Sequence, residues 1–248
     1  MTRDLSRDGA PPIEPRDLNA QFDLAPGEVT RHLARFVNAD RRALFERILD
    51  HRTSRLRALL DNVCDPHNVS ACVRSCEAFG IQHIHVVPQP GLDLLLNREV
   101  AIGTQKWVTI HRHESISAAI SVLKNEGFRL LHTGLSEAHE VTSLAHIQIT
   151  GPLCVIFGSE LYGVSETAIA ASDGGLNIPI HGFAQSLNIS VALALTMYDL
   201  RQKQIAQSGS PGDLDPNERV RILDRWIGAQ VPRAEIVLAD MLKRDKTD

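Results

Sequence analysis

Short apolar runs alternate with amphipathic segments through the middle of the chain, and this alternation limits the possible folds more than any other feature. The apolar runs lie at 58–63, 83–87, 107–111, 129–134, 152–158 and 175–180. The helix-like segments lie at 67–79, 115–126, 164–171 and 187–205. Strands that alternate with helices indicate a mostly parallel sheet covered by helices. The run LCVIF is apolar at every position, as expected for a strand buried on both faces. We therefore predict an α/β fold.

The rest of the chain divides into three further segments. Residues 1–28 are rich in proline and lack periodicity, which predicts a flexible tail. Residues 29–57 carry apolar residues at helical spacing, which predicts an N-terminal helical extension before an α/β domain at 58–207. Residues 208–248 begin with the linker-like run SGSPGDLDPN and continue as two short helices, the first opening with Pro216.

Composition argues against several classes of protein. No apolar stretch approaches the roughly 18 residues of a membrane span, and the N-terminus lacks the apolar core of a signal peptide. The four cysteines form no CxxC pair, so we expect reduced thiols rather than a disulfide framework. The 11 histidines show no HExxH or Cys/His spacing, so no metal site is expected. These features predict a cytoplasmic protein.

Arginine is concentrated near the N-terminus, although the net charge of the chain is −4. Between Arg31 and Arg57, eight arginines stand against three acidic residues, a local excess of five positive charges. Such a cluster can bind phosphates. Paired side chains on a solvated helix face would explain it equally well. The candidates for RNA contact are Arg41, Arg42, Arg52 and Arg55.

Three segments, each after a predicted strand, carry polar residues suited to a binding site. In the first, Asn68 is placed to cap a helix, and Arg74 projects from the early turns of that helix. The helix starts at the carboxyl edge of the sheet, where open α/β folds bind ligands. A surface Arg74 paired with Glu77 is the plainer alternative.

The second segment ends the strand at 152–158 with Gly158, followed by Glu160 and Gly163. Glycine allows a ligand to approach the backbone closely. The spacing of the two glycines is similar to a phosphate loop, but Val164-Ser165 stands where such a loop requires lysine, and no GxGxxG is present. An NTPase or a nucleotide-dependent oxidoreductase is therefore disfavoured, whereas an ordinary strand-to-helix turn remains open.

The third segment places Ser186 and Asn188 directly before a helix rich in small residues. These side chains either cap the helix or form a cradle for a polar ligand. The alanines and serine of SVALAL allow a second helix to approach closely, as at a dimer interface.

Together and in this order, the three segments resemble the motifs of the SpoU/TrmH-type RNA 2′-O-ribose methyltransferases of the SPOUT superfamily. PHNVSACVRSCEAFGI resembles the first motif, IFGSELYGVS the second and IPIHGFAQSLNISVALAL the third, within a region of about 59–205. The N-terminal tail is longer than in the family. The resemblance implies a deep C-terminal trefoil knot, a homodimer, and S-adenosyl-L-methionine as cofactor.

The resemblance also implies roles for individual residues. Arg74 would activate the ribose 2′-hydroxyl, but an arginine stays protonated, so the final proton acceptor is left open. The other catalytic-site residues implied are Asn68, Glu160, Ser186 and Asn188. The cofactor would be held mainly through the backbone of Thr133, Gly158, Ile178 and Leu187.

The substrate implied is tRNA, at the D-loop guanosine of position 18. Three alternatives remain open at this point. The same chemistry would act on another tRNA position or on ribosomal RNA, or the chain would be a knotted RNA-binding protein without catalysis.

Overall fold

The computed structural model describes residues 17–63, 65–89, 103–135, 138–159 and 161–245. The strands are β1 (Leu56–Asp61), β2 (His83–Val87), β3 (Thr109–Arg112), β4 (Arg129–Thr133), β5 (Val141–Ser143), β6 (Leu153–Gly158) and β7 (Gly175–Asn177). The helices are α1 (Leu18–Phe22), α2 (Glu28–Leu33), α3 (Ala39–Leu49), α4 (Pro66–Ala78), α5 (Ile116–Asn125), α6 (Glu166–Ala171), α7 (Ile189–Ser208), α8 (Pro216–Gln230) and α9 (Ala234–Arg244). Short 3₁₀ turns lie at Ala34–Phe36, Thr104–Trp107 and Leu144–His146.

The strands form one seven-stranded parallel sheet in the order β3-β2-β1-β6-β4-β7-β5. The mostly parallel α/β sheet predicted from the sequence is therefore confirmed. The apolar side chains of β6 are buried throughout, as the run LCVIF predicts. Two details differ from the prediction. Trp107 lies in a 3₁₀ turn before β3, and β5 was not predicted because it is short and contains Thr142 and Ser143.

Helices cover both faces of the sheet. On one face, α4 contributes Cys72, Val73 and Cys76 to the core, and α7 contributes Leu193 and Met197. The apolar stripe predicted along α4 is thus buried, because its residues recur at one face of the helix. On the other face, α5 and α6 pack against the alternate side chains of β1, β4 and β6.

The two terminal extensions pack together as one helical layer. Trp226 of α8 lies edge-on to Phe45 and Trp107, with ring centroids 5.5 and 5.8 Å apart. The buried carboxylate of Asp224 accepts hydrogen bonds from three groups of the N-terminal segment: Asn19 Nδ2 at 3.1 Å, Gly27 N at 2.6 Å and Thr30 N at 2.8 Å. A buried carboxylate with three donors is well satisfied, so this contact fixes α1 and α2 to α8.

This packing corrects the prediction of a flexible tail for residues 17–28, whereas residues 1–16 lie outside the described residues. Residues 17–28 contain α1, and Leu18 is buried against the C-terminal helices. The linker-like segment after 208 is also held in place. Asp213 accepts hydrogen bonds from Thr53 Oγ1 at 2.6 Å and from Gln204 Nε2 at 2.8 Å.

Four histidines form a stack between β2 and β3. His83 and His85 alternate along β2, and His111 and His113 continue the same face from β3. The rings of His85 and His111 lie 4.5 Å apart and nearly parallel. His83 Nδ1 lies 2.8 Å from His111 Nε2, and His85 Nδ1 lies 2.9 Å from His113 Nε2. Glu218 of α8 contacts His83, which ties the stack to the C-terminal layer.

Burial keeps this stack uncharged. Desolvation, and after it the electrostatic influence of His111 and Arg57, lower the pKa of His85 to about 2. Desolvation and the neighbouring His83 lower the pKa of His111 to about 3. Because an unfolded histidine titrates near pH 6.5, the unfolded chain binds more protons than the folded chain once the pH falls below that value.

We therefore expect the protein to lose stability below pH 6.5, and to go on losing it down to the folded pKa values. From pH 7 to 5.5, His85 and His111 together should lower the free energy of unfolding by about 2–3 kcal/mol, since each pH unit is worth about 1.4 kcal/mol per proton. Urea denaturation across this pH range measures the loss. A His85→Gln/His111→Gln double variant should show a shallower pH dependence, and an unchanged slope would contradict the assignment.

Candidate active site

A pocket opens where β4, β6 and β7 end, on the carboxyl edge of the sheet. Its volume is about 500 Å³, within the roughly 300–1,000 Å³ typical of small-molecule sites. All four residues predicted to bind the cofactor line it, together with Ser186. These four are Thr133, Gly158, Ile178 and Leu187. The structure therefore brings strand ends far apart in sequence to one cavity, as expected for an open α/β sheet.

The lining of the pocket is neutral. Asn177, Gln185 and Ser186 supply its polar side chains together with Thr133 and Ser159, and the remaining lining residues are glycine or apolar. Within the part of the chain that the structure describes, no ionisable side chain lines the cavity. The pocket is thus suited to holding a ligand by shape and by neutral hydrogen bonds. Among the described residues, every acid or base therefore lies outside this lining.

The floor of the pocket depends on a close approach between Gly158 and the loop that follows β6. Ser159 and Gly163 form a two-residue β-bridge, with N-to-O distances of 3.1 and 2.9 Å. A Cβ atom at Gly158 would stand 1.9 Å from the carbonyl carbon of Gly163 and 2.0 Å from Val164 N. Only glycine fits there, so the close backbone approach predicted at Gly158 has a specific neighbour.

Asp61 fixes the far end of the same loop and was not predicted as a site residue. It ends β1 and is fully buried. One carboxylate oxygen accepts from Ser165 N at 2.8 Å, and the other accepts from Asn62 Nδ2 at 2.9 Å. Ser165 in turn caps α6 through Ala168 N. An acidic residue that directly follows the apolar run 58–60 was the signal available in the sequence.

Asn68 and Asn188 join the first and third segments. Asn188 Nδ2 donates to Asn68 Oδ1 at 3.1 Å, and Asn188 Oδ1 accepts from Ser190 N at 2.9 Å. Asn188 is therefore both the N-cap of α7 and a contact between motifs. The N-cap role predicted for Asn68 is wrong. Asp65 caps α4 instead, because Pro66 fits the first helical position and the Asp65 carboxylate accepts from His67 N at 2.9 Å.

Arg74 lies on α4 with an exposed side chain and is not among the residues that line the pocket. The alternative of an Arg74–Glu77 pair does not hold, because the Glu77 carboxylate binds Arg52 Nη2 at 2.7 Å. Arg74 is six residues beyond Asn68 on the same helix, about 9 Å along its axis. Glu160, the remaining predicted site residue, lies outside the described residues.

The arginine cluster is only partly available to a ligand. Arg42 and Arg55 are exposed, whereas Arg41 is half-buried with its guanidinium 5.3 Å from the centroid of Trp107. Arg52 is 1% exposed, pairs with Glu77 and lies over the Trp226 ring, so its selection as an RNA contact is wrong. No residue near Arg52 in the sequence indicates this, because burial of Arg52 depends on α8, far along the chain.

Three further observations limit the chemistry of the site. The described residues contain no group of three or more His, Cys, Asp or Glu side chains arranged to hold a metal ion. Cys72, Cys76 and Cys154 are buried free thiols, and desolvation raises the pKa of the latter two well above the usual range. No helix within the described ranges combines the length and the apolar character that crossing a membrane requires.

Comparison with known proteins identifies relatives over the same region. Residues 55–198 match the model of the SpoU rRNA Methylase family. The tRNA (guanosine(18)-2′-O)-methyltransferase of Thermus thermophilus is 37% identical over 188 residues, which cover 75% of this chain and 95% of that protein. The crystal structure of the Aquifex aeolicus TrmH/SpoU tRNA modifying enzyme superposes with a TM-score of 0.71 at 30% identity, covering 78% of this chain and 98% of the other.

A more distant solved structure shares the fold alone. The SpoU methyltransferase AviRb from Streptomyces viridochromogenes, crystallised in complex with the cofactor AdoMet, is 20% identical with a TM-score of 0.56. The match covers 68% of this chain and 65% of that one.

Proposed function

Because the chain belongs to the SpoU rRNA Methylase family, we propose that it transfers the methyl group of S-adenosyl-L-methionine to a ribose 2′-hydroxyl of tRNA, at guanosine 18 of the D-loop. The substrate follows the activity for which the Thermus relative is named, and this chain matches 95% of the length of that relative. The observation that carries the proposal is the neutral pocket at the carboxyl ends of β4, β6 and β7.

The pocket fits S-adenosyl-L-methionine in size and in chemistry. The backbone around Gly158 and the half-buried Ile178 and Leu187 would enclose the adenosine, and Thr133 would contribute its backbone at the end of β4. Thr133 Oγ1 donates to Ile156 O at 3.0 Å, so its main chain is held rigidly against β6. When bound, the cofactor supplies an electrophilic methyl group on a sulfonium. A neutral lining suits this group because none of the described lining residues carries a carboxylate or thiolate that would compete for the methyl.

The remaining motif residues prepare the ribose. Asn68 and Asn188 hold α4 and the start of α7 together by their hydrogen bond, and the exposed Ser186 shortly precedes Asn188 in the sequence. Arg74 would approach the 2′-hydroxyl from outside the cofactor pocket and stabilise the negative charge that develops as the proton leaves. Glu160, three residues before Gly163 in the sequence, would contribute its carboxylate to the same site.

We also propose the deep knot and the homodimer that the family resemblance implies. The sheet interleaves late and early strands, with β6 between β1 and β4, as a threaded carboxyl half requires. Val191, Leu195 and Tyr198 lie one turn apart along α7 with 46%, 46% and 53% of their surface exposed. Such a stripe at i, i+4 and i+7 is suited to pack against a second copy.

The exposed arginines of the N-terminal extension are proposed to contact the tRNA backbone. Arg42 and Arg55 present their charge to solvent, and Arg41 contributes from a half-buried position. Such contacts supply affinity that is independent of base sequence and that weakens with salt. A tRNA substrate and buried free thiols both suit a cytoplasmic protein.

The test is mass spectrometry of tRNA nucleosides after incubation with the purified protein and methyl-labelled cofactor. We expect one new 2′-O-methylguanosine, and fragment mapping should place it at position 18. A label at another tRNA position, or on ribosomal RNA alone, would overturn the substrate. No transfer to any RNA, with the cofactor still bound, would identify a non-catalytic binding protein.

A further inference from the structure

Two aromatic side chains stand in solvent on the loops that border the pocket. Phe183 is completely exposed, at 109% of its reference surface, and Tyr162 is 85% exposed. Phe183 lies between β7 and α7, on the loop whose Ile180 and Gln185 line the pocket. Tyr162 lies on the loop closed by the bridge between Ser159 and Gly163, and both bridge residues line the same pocket.

The positions of these rings are not explained by packing within the described chain. A phenyl ring has no polar atom, so Phe183 gains nothing from water and gains only from contact with an apolar or aromatic surface. Tyr162 is held at the rim by its backbone, because its N–H donates to Ser159 Oγ at 3.2 Å. Isolated exposed apolar residues are common on proteins, but two aromatics on two loops around one cavity form a defined surface.

The ligand that would contact these two rings can be inferred from the substrate that must enter the pocket, and this inference rests on the proposed function. A ribose whose 2′-hydroxyl reaches the pocket carries its base to the rim, where the loops of Phe183 and Tyr162 stand. Proteins recognise unpaired bases chiefly by stacking them on aromatic side chains. None of the described residues that line the pocket carries a charge that would favour a phosphate over a base.

We propose that Phe183 and Tyr162 form a stacking platform for the base of the methylated nucleotide or of its immediate neighbour. The platform positions the nucleotide so that its ribose faces the cofactor pocket. Because every base has a π-face, stacking of this kind supplies affinity and orientation and leaves the choice of base to other contacts.

The test uses the full-length protein and tRNA on which methylation has first been demonstrated with the unaltered chain. Phe183→Ala should lower kcat/KM for tRNA about five- to hundredfold, since stacking on one aromatic is worth about 1–3 kcal/mol per base. Phe183→Tyr should retain most of the activity, whereas Phe183→Leu should behave like Phe183→Ala. The dissociation constant for S-adenosyl-L-methionine, measured by calorimetry, should stay unchanged in all three. Tyr162→Ala should show a similar loss. Ile236→Ala, at an apolar position on α9 that is 60% exposed, should show none.

Stacking is read directly from tRNAs that carry 2-aminopurine at the methylated position or beside it. The fluorescence of the analogue should be quenched by the unaltered protein at one of these positions and restored with Phe183→Ala. Rescue by leucine as complete as by tyrosine would overturn the platform, because it would show apolar contact without stacking. Dissociation of the Phe183→Ala variant into monomers would also overturn the platform, because it would show that the Phe183 ring packs against a second copy of the chain. Absence of methylation by the unaltered protein would instead contradict the proposed function.

Discussion

Replacing Arg74 by alanine should lower kcat for methyl transfer by about 10²–10⁴-fold and leave the binding of S-adenosyl-L-methionine unchanged. The two effects separate because Arg74 is exposed on α4 and does not line the cofactor pocket. Since the lining of the pocket carries no ionisable side chain among the described residues, the charged group that assists loss of the hydroxyl proton has to come from outside it. A positioned group of this kind contributes about 10²–10⁴-fold to a rate.

The measurements are single-turnover methylation of tRNA and calorimetry with the cofactor. Arg129→Ala serves as the matched control, because Arg129 is equally exposed but begins β4, at the opposite edge of the sheet. It should methylate at the normal rate. Arg74→Lys keeps the charge without the planar fork of donors, so it should recover only part of the lost activity. Normal turnover by Arg74→Ala would show that Arg74 takes no part in the reaction. Equal losses of turnover and cofactor binding would show that its role is structural.

The sheet could be predicted because its signal is local. β6 is an apolar run buried on both faces, and β2 and β4 carry shorter apolar runs beside histidines. The helices α4 and α5 show helical periodicity with one buried side. Each pattern is contained within a dozen residues. β5 escaped prediction because it joins the edge of the sheet through only three residues, at half-buried positions. Its existence depends on pairing with β7, a contact that no local pattern encodes.

The terminal extensions show the same limit more strongly. Contacts between segments about two hundred residues apart in the chain surround Leu18, Asp224 and Trp226. The packing of either extension therefore cannot be predicted from its own sequence. The same packing buries Arg52, although Arg42 and Arg55 of the same cluster are exposed. Charge counting along a sequence identifies a basic segment but does not distinguish a guanidinium in solvent from one covered by a tryptophan ring.

The pocket could be predicted from the sequence only in part. Thr133, Gly158, Ile178 and Leu187 were assigned by resemblance to motifs, and the structure places all four around one cavity. The contacts that shape the cavity were not predictable in the same way. The bridge from Ser159 to Gly163 and the anchor on Asp61 are tertiary hydrogen bonds that become visible only when the strands are aligned.

Replacing Gly158 by alanine should disrupt both the pocket and the end of β6. The added Cβ would overlap the backbone at Gly163 and Val164, at 1.9 and 2.0 Å, and a main chain cannot rotate away as a flexible side chain can. The loop must therefore move outward and lose the hydrogen bonds of the Ser159–Gly163 bridge. We expect the free energy of unfolding to fall by about 3 kcal/mol, at the upper end of overpacking effects. The dissociation constant for S-adenosyl-L-methionine should rise about a hundredfold or more.

Gly151→Ala is the control that separates this clash from a general intolerance of alanine. Gly151 precedes β6 at its amino end, and a Cβ there would meet nothing within 4 Å. Its stability and its affinity for the cofactor should both match those of the unaltered protein. Urea denaturation and calorimetry measure the two quantities on the same samples. If Gly158→Ala bound the cofactor as tightly as Gly151→Ala did, the close backbone approach at the end of β6 would have no part in cofactor binding, and the pocket between β4, β6 and β7 would lose its assignment as the methyl-donor site.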